Sequence, residues 1–248
     1  MPIDSIAHRT LLATLDRLKQ DGELSSEAKL QLAYQRFRDL FGPDVLKTLN
    51  GERLLQWYDS SDATSLTYWL TYGKMNGATG IPEISGRFGF IGSGSHYQRL
   101  RLFRGKPDGL WRTGSHPKSG QVISEAEATT IASRFRDQLL AGCEVFSRIA
   151  PDGSDATYAM LQQQLEKVAP DLVHRAWAHK YFHMLYSSVL DDFHTVKKQH
   201  EVLQHLRQVP PTGPGVYRAA GRFVLVAREL GVPMNHLAAA LNNWERFA

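Results

Sequence analysis

The chain has 248 residues, 42% of them apolar and 22% charged at a mean hydropathy of −0.33. That balance excludes a disordered chain and fits one large globular unit or two intimate ones. Cys143 is the only cysteine, which excludes an internal disulfide and a thiolate metal cage and points to an intracellular protein. Net charge is +4 with an isoelectric point near 9.2, but the excess is local. Arg87, Arg99, Arg101, Arg104, Lys106, Arg112 and Lys118 face Asp108 alone within 86–120, and the remainder is slightly acidic. No stretch approaches the roughly 18 apolar residues of a spanning helix. Met1-Pro2-Ile3-Asp4 begins without a basic and then apolar signal, so the expected location is the cytoplasm, with no membrane partner.

Leu11, Leu15 and Leu18, then Leu30, Ala33, Phe37 and Phe41, recur at helical spacing and predict amphipathic helices over 5–20 and 26–41, punctuated by Gly22 and Gly42-Pro43. A short helix follows at 51–58. Ser65 to Tyr72 is ambiguous: Leu66, Tyr68, Leu70 and Tyr72 alternate as in a strand, while Leu66, Trp69 and Leu70 fit a helix.

Between Gly73 and Gly120 glycine becomes dense and short aromatic and β-branched runs appear, the texture of strands. Arg87-Phe88-Gly89-Phe90-Ile91 leads through Gly92-Ser93-Gly94-Ser95 into Tyr97–Arg104, whose alternation predicts a half-buried strand. Leu100, Leu102 and Ile91 would share its apolar face and Arg99 and Arg101 the opposite one, with Phe103 breaking the pattern. Lys106-Pro107-Asp108-Gly109 is a turn signal, and Leu110–Gly114 would return. The expectation is a small antiparallel meander over about 86–114 with a positive outer face and Trp111 packed beneath it.

Ser124 and Glu127 form a capping-box pattern, followed by the stripe Ala128, Ile131, Phe135, Leu139 and Phe146. Tyr158, Leu161 and Leu165 mark the next helix, Val173, Trp177, Tyr181 and Leu185 another, and Val202 and Leu206 a shorter one. Pro210–Gly215 is the one linker-like stretch and would set off a final pair of helices, carried by Phe223 and Ala227 and by Leu237, Leu241 and Trp244. Helical periodicity persists to the last residue, as in a chain cut from something longer or one ending on a docked helix. The expected fold is an α-rich α+β body, with N-terminal helices over 1–80, the basic meander over 81–120 and helices over 121–248, packed as one unit.

His179 and His183 share a helix face at zinc-ligand spacing, but Lys180 stands where a metalloprotease needs its general-base Glu. An aromatic core with hydrogen-bonded histidines is the competing expectation and outweighs a metal site completed by Asp191, Asp192 and His194. Asp191-Asp192, and Asp152 with Asp155, look like turn and cap residues. The Gly92–Ser95 run lacks the Lys-Ser/Thr ending of a P-loop. Cys143 has no sequence-neighbouring His, and no Gly-x-Ser-x-Gly elbow occurs. No catalytic residue, metal or cofactor is therefore assigned. Tyr97, Phe103 and Trp111 among the arginines form a mixture able to stack bases while gripping phosphates.

Four segments carry a resemblance: Ser65–Leu70, Phe88–Ser95, Leu110–Gly114 ahead of the Ser124 helix, and Trp177–Tyr186. Together they resemble the region that precedes the AAA+ motor in some McrB-type proteins of modification-dependent restriction systems. The resemblance implies a DNA-specificity domain without catalysis of its own. It also implies a GTPase motor in the same parent chain, a separate nuclease subunit, and DNA, often with a modified base, as partner. On this basis Arg87, Tyr97, Arg99, Arg101, Arg104, Lys106, Trp111, Arg112 and Lys118 are the candidate DNA contacts. A base read by flipping would meet Tyr97 and Trp111 with Ser93 or Ser95. The alternative is a helical protein-interaction or oligomerisation module of a defence system.

Overall fold

The computed structural model describes residues 3–72, 80–81, 88, 100–105, 108–114 and 120–244. Arg87, Tyr97, Arg99, Lys106 and Lys118, and the turn Gly92–Ser95, lie outside the described residues. The chain is an α-rich α+β protein. α1 (Ser5–Gln20) starts where the Asp4 carboxylate accepts from the Ile6 and Ala7 amides, and α2 (Glu27–Phe41) where the Ser26 hydroxyl accepts from the Lys29 amide; each satisfies amides that the first turn leaves open. Two short helices, α3 (Pro43–Leu46) and α4 (Gly51–Gln56), lead to α5 (Leu66–Tyr72). The 65–72 ambiguity resolves to helix. Leu66, Trp69 and Leu70 are buried at helical spacing, and the Ser65 hydroxyl accepts from the Tyr68 amide.

Among the described residues the sheet is short. β1 (Leu102–Arg104), β2 (Trp111–Thr113) and β3 (Gln121–Val122) form an antiparallel meander, with Phe103 opposite Arg112 and Arg112 opposite Val122. β1 does not continue back through Arg101, which bends at φ 67°, so Arg101 is not one of a row of strand residues. Leu102 and Phe103 are both buried, because one side of the ribbon packs on the helices while the other is partly covered. Sequence reading also missed β3, whose two residues carry no alternation to detect. Trp111 is 8% exposed, beneath the sheet as expected.

α6 (Glu125–Ser147) opens with the full Ser124–Glu127 capping box. α7 (Asp155–Val168), α8 (Ala176–Leu185), α9 (Val196–His205), α10 (Ala220–Leu230) and α11 (Met234–Asn242) follow. α8 is the axle of the molecule: every residue from Trp177 to Leu185 is buried. α2 and α5 pack against it, while α6 carries α3, α4, α7 and the sheet. At Gly142 a Cβ would lie 2.5 Å from the Phe182 ring, so α6 approaches α8 only because that position has no side chain.

The stretch at 210–215 does not act as a free linker. Gly215 has φ 112°, and a Cβ there would lie 2.1 Å from the Gln162 amide carbon. Gln162 accepts from the Tyr217 amide, and Gln199 donates to the Val216 carbonyl. The final helices are thereby tied into the body, with α10 on α7 and α11 on α1. One hydrophobic cluster extends from Ile3 to Leu241.

Candidate nucleic-acid interface and the buried histidine cluster

β1 and β2 lie on α6, and the segment before α8 is held to the same helix, where Gln138 hydrogen bonds Asp171 and Arg134 pairs with it. Two arginines lie within electrostatic reach of each other along this edge. Arg101 sits at the bend before β1, its carbonyl accepting from the Thr113 hydroxyl at 2.9 Å. Arg175, the residue that starts α8, donates from Nε to the Asp171 carbonyl at 3.2 Å. Burial first, and then the neighbouring Arg101 charge, lower the Arg175 pKa, with Asp171 opposing. Neither guanidinium forms an ion pair among the described residues. Like charges held together in this way attract an anion. Arg175 escaped the sequence reading because nothing in Asp171–Arg175 signals that the fold will bring it to the meander.

The other two described arginines of the meander are engaged. Arg104 donates to the Gly109 carbonyl at 2.9 Å and to Asp59 at 3.2 Å. Arg112 forks onto Asp108, with one contact at 2.8 Å, and the fork holds the Asp108 carboxyl well below the usual carboxylate range. Both arginines brace the turn closed by Gly105 N–H to the Leu110 carbonyl at 2.8 Å. Their charge is balanced locally, which sequence alternation does not reveal. Beside the Arg104–Asp59 pair a cavity of about 300 Å³ is lined by Gln56, Asp59, Asp62, Arg104, Trp111 and Glu125, among others.

His179 and His183 enter the core on α8 and meet His194 and the acids before it. The Nδ1 atoms of His179 and His194 lie 2.9 Å apart. His183 donates from Nδ1 to the Leu190 carbonyl at 2.9 Å, which leaves Nε2 to accept from the Tyr34 hydroxyl at 3.3 Å. Asp192 Oδ1 stands 3.3 Å from His194 Nε2 and 3.5 Å from His183 Nε2. Asp191 accepts from the Phe193 amide and from Gln199. The Asp191-Asp192 pair thus makes one turn contact but is buried, not a surface turn or cap. Burial holds His179 well below its ordinary pKa and His194 at about 4, and pushes Asp191 well above its own; a buried site disfavours charge of either sign. Lys180 is buried too, over the Trp69 ring at 5.4 Å, and donates to the Leu70 carbonyl.

The described residues include no group of three or more His, Cys, Asp or Glu arranged to hold a metal ion. The buried Cys143 thiol is pushed up to about 11 by burial, the opposite of nucleophile activation. Asp152 caps its turn by accepting from the Ser154 amide and the Thr157 hydroxyl, and Asp155 pairs with Arg222. No helix among the described residues is long and apolar enough to cross a membrane.

Fold and site together define an α-rich α+β protein with a cationic edge on a short meander and a buried polar cluster at its centre. No protein-family model, no curated protein and no solved structure matches the chain.

Proposed function

We propose that this protein is a cytoplasmic DNA-binding specificity module of the McrB type, acting without catalysis of its own beside a motor and a separate nuclease. The observation that carries the proposal is the proximity of Arg101 and Arg175: two guanidinium charges from distant parts of the chain within electrostatic reach, partly offset by Asp171 and neither in an ion pair among the described residues. Phosphate contacts of this kind supply most sequence-independent affinity for nucleic acid. Arg87, Arg99, Lys106 and Lys118 add to the same stretch of sequence. The cavity that Trp111 helps to line supports a base-reading role, since Gln56, Asp59 and Asp62 offer acceptors for an exocyclic amine.

Fluorescence anisotropy with modified and unmodified duplexes across a salt series tests this. The intact chain should show a steep loss of affinity with salt. Arg101→Ala with Arg175→Ala should reduce the slope of log K against log salt by about 1.8, two phosphates' worth of counterion release. Arg104→Ala and Arg112→Ala should change it less, because those side chains already hold Asp59 and Asp108. An unchanged slope in the double variant sinks the DNA proposal. Salt-insensitive, weak binding with concentration-dependent self-association would instead favour an interaction module.

A further inference from the structure

On the side of the molecule built by α2, the turn after α8 and the α10–α11 corner lies a second cavity, of about 250 Å³. Its walls are aliphatic: Leu30, Val224, Ala227, Val232 and Met234. Its polar lining residues are Gln31, Tyr34, Ser187, Ser188 and Arg228, with no acidic residue among the described lining. Tyr34 is already committed, donating inward to His183 and accepting from Ser187, and burial and Asp192 raise its pKa so that it stays a neutral phenol. Ser188, Gln31 and Arg228 are the other polar residues that line it. Arg228 donates to the Pro151 carbonyl, which ties the guanidinium down and leaves further N–H groups.

An apolar chamber with one cation, hydroxyl and amide donors and no carboxylate among the described residues selects a ligand with an aliphatic body and a single negative head. At roughly 30 Å³ for each water-sized group, the space accommodates about eight non-hydrogen atoms. We propose that this cavity is a binding site for a short-chain aliphatic carboxylic acid, its chain against Leu30, Val224, Ala227 and Val232 and its carboxylate toward Arg228 and Ser188. The site does not depend on DNA binding: it shares no residue with the meander or with Arg175.

The test titrates the full chain with straight-chain carboxylates from two to ten carbons, and with the primary alcohol of each length, followed by calorimetry and by amide NMR shifts. Affinity should rise with chain length, pass through an optimum at about six carbons and then fall, with each acid at least tenfold tighter than its alcohol. Ala227→Leu, which fills the chamber, should weaken the best acid at least tenfold. Because Ala227→Leu also perturbs a packed helix, Arg228→Gln, at an exposed position, provides the second arm. It should abolish the preference for acid over alcohol. Absence of saturable binding, a monotonic rise with length, equal affinity for acid and alcohol, or an unaltered preference in Arg228→Gln overturns the proposal.

Discussion

The meander and the centre of α8 handle polarity in opposite ways. Along the meander the cations remain charged beside water, and two of them are neutralised by single carboxylates at a partly exposed edge. Around α8, His179, His194 and Asp191 are moved toward their neutral forms by burial and are matched in part by one another, by backbone groups and by Gln199, while His179 Nε2 has no hydrogen-bond partner among the described residues. Exposed ion pairs contribute little to stability and are open to a ligand. A buried polar cluster contributes through the cost of leaving any one member unmatched. Substitutions in the first region should therefore move binding more than stability, and those in the second the reverse.

The largest expected effect breaks the buried side. Asp191→Ala leaves the Phe193 amide and a Gln199 N–H without an acceptor and should cost about 3 kcal/mol in urea unfolding, with the salt dependence of DNA binding unaltered in the folded fraction. A comparable loss from Arg112→Ala would erase the distinction between the regions. Next is Gly215→Ala, at a positive φ and against Gln162, which should cost about 2 kcal/mol and lower the thermal midpoint; a neutral effect would mean that the 210–215 stretch is not pinned.

The pH dependence of stability sharpens the contrast, and its sign is fixed by the buried groups. Below pH 6.5 the unfolded chain protonates His179 and His194, while the folded chain resists until about 4 for His194 and lower than the ordinary value for His179. Stability is therefore lost as pH falls from 6.5 toward 4. Asp191 acts oppositely, since its folded pKa is raised above 3.8 and its stabilising effect is lost as pH rises. His194→Gln should flatten the urea-derived profile between pH 6 and 4.5 by about 1.4 kcal/mol per pH unit. Smallest is the coupling between Arg104 and Asp59, which should be below about 1 kcal/mol in a double-mutant cycle of thermal unfolding.

Much of the helical frame was legible because its signals are local. Leu11, Leu15 and Leu18 mark a helical stripe, and Ser124 with Glu127 states where a helix begins. The cationic stretch was legible as charge, but not as contact. Asp59 is 45 residues from Arg104, and no alternation in Tyr97–Arg104 indicates that a partner waits there. The histidine spacing at 179 and 183 was visible, whereas Tyr34, 149 residues from His183, was not.

By itself the sequence determined where helices start and repeat, where the backbone turns and where cations concentrate, because each depends on neighbours within a few positions. Tertiary structure alone decided that Arg101 comes within electrostatic reach of Arg175 while Arg104 and Arg112 find acids. It also decided that Asp191 and Asp192 lie inside and that Gly215 is wedged against Gln162. Side chains far apart along the chain interact only once packing has fixed their separation and excluded water, and the electrostatic consequence of a charge depends on both.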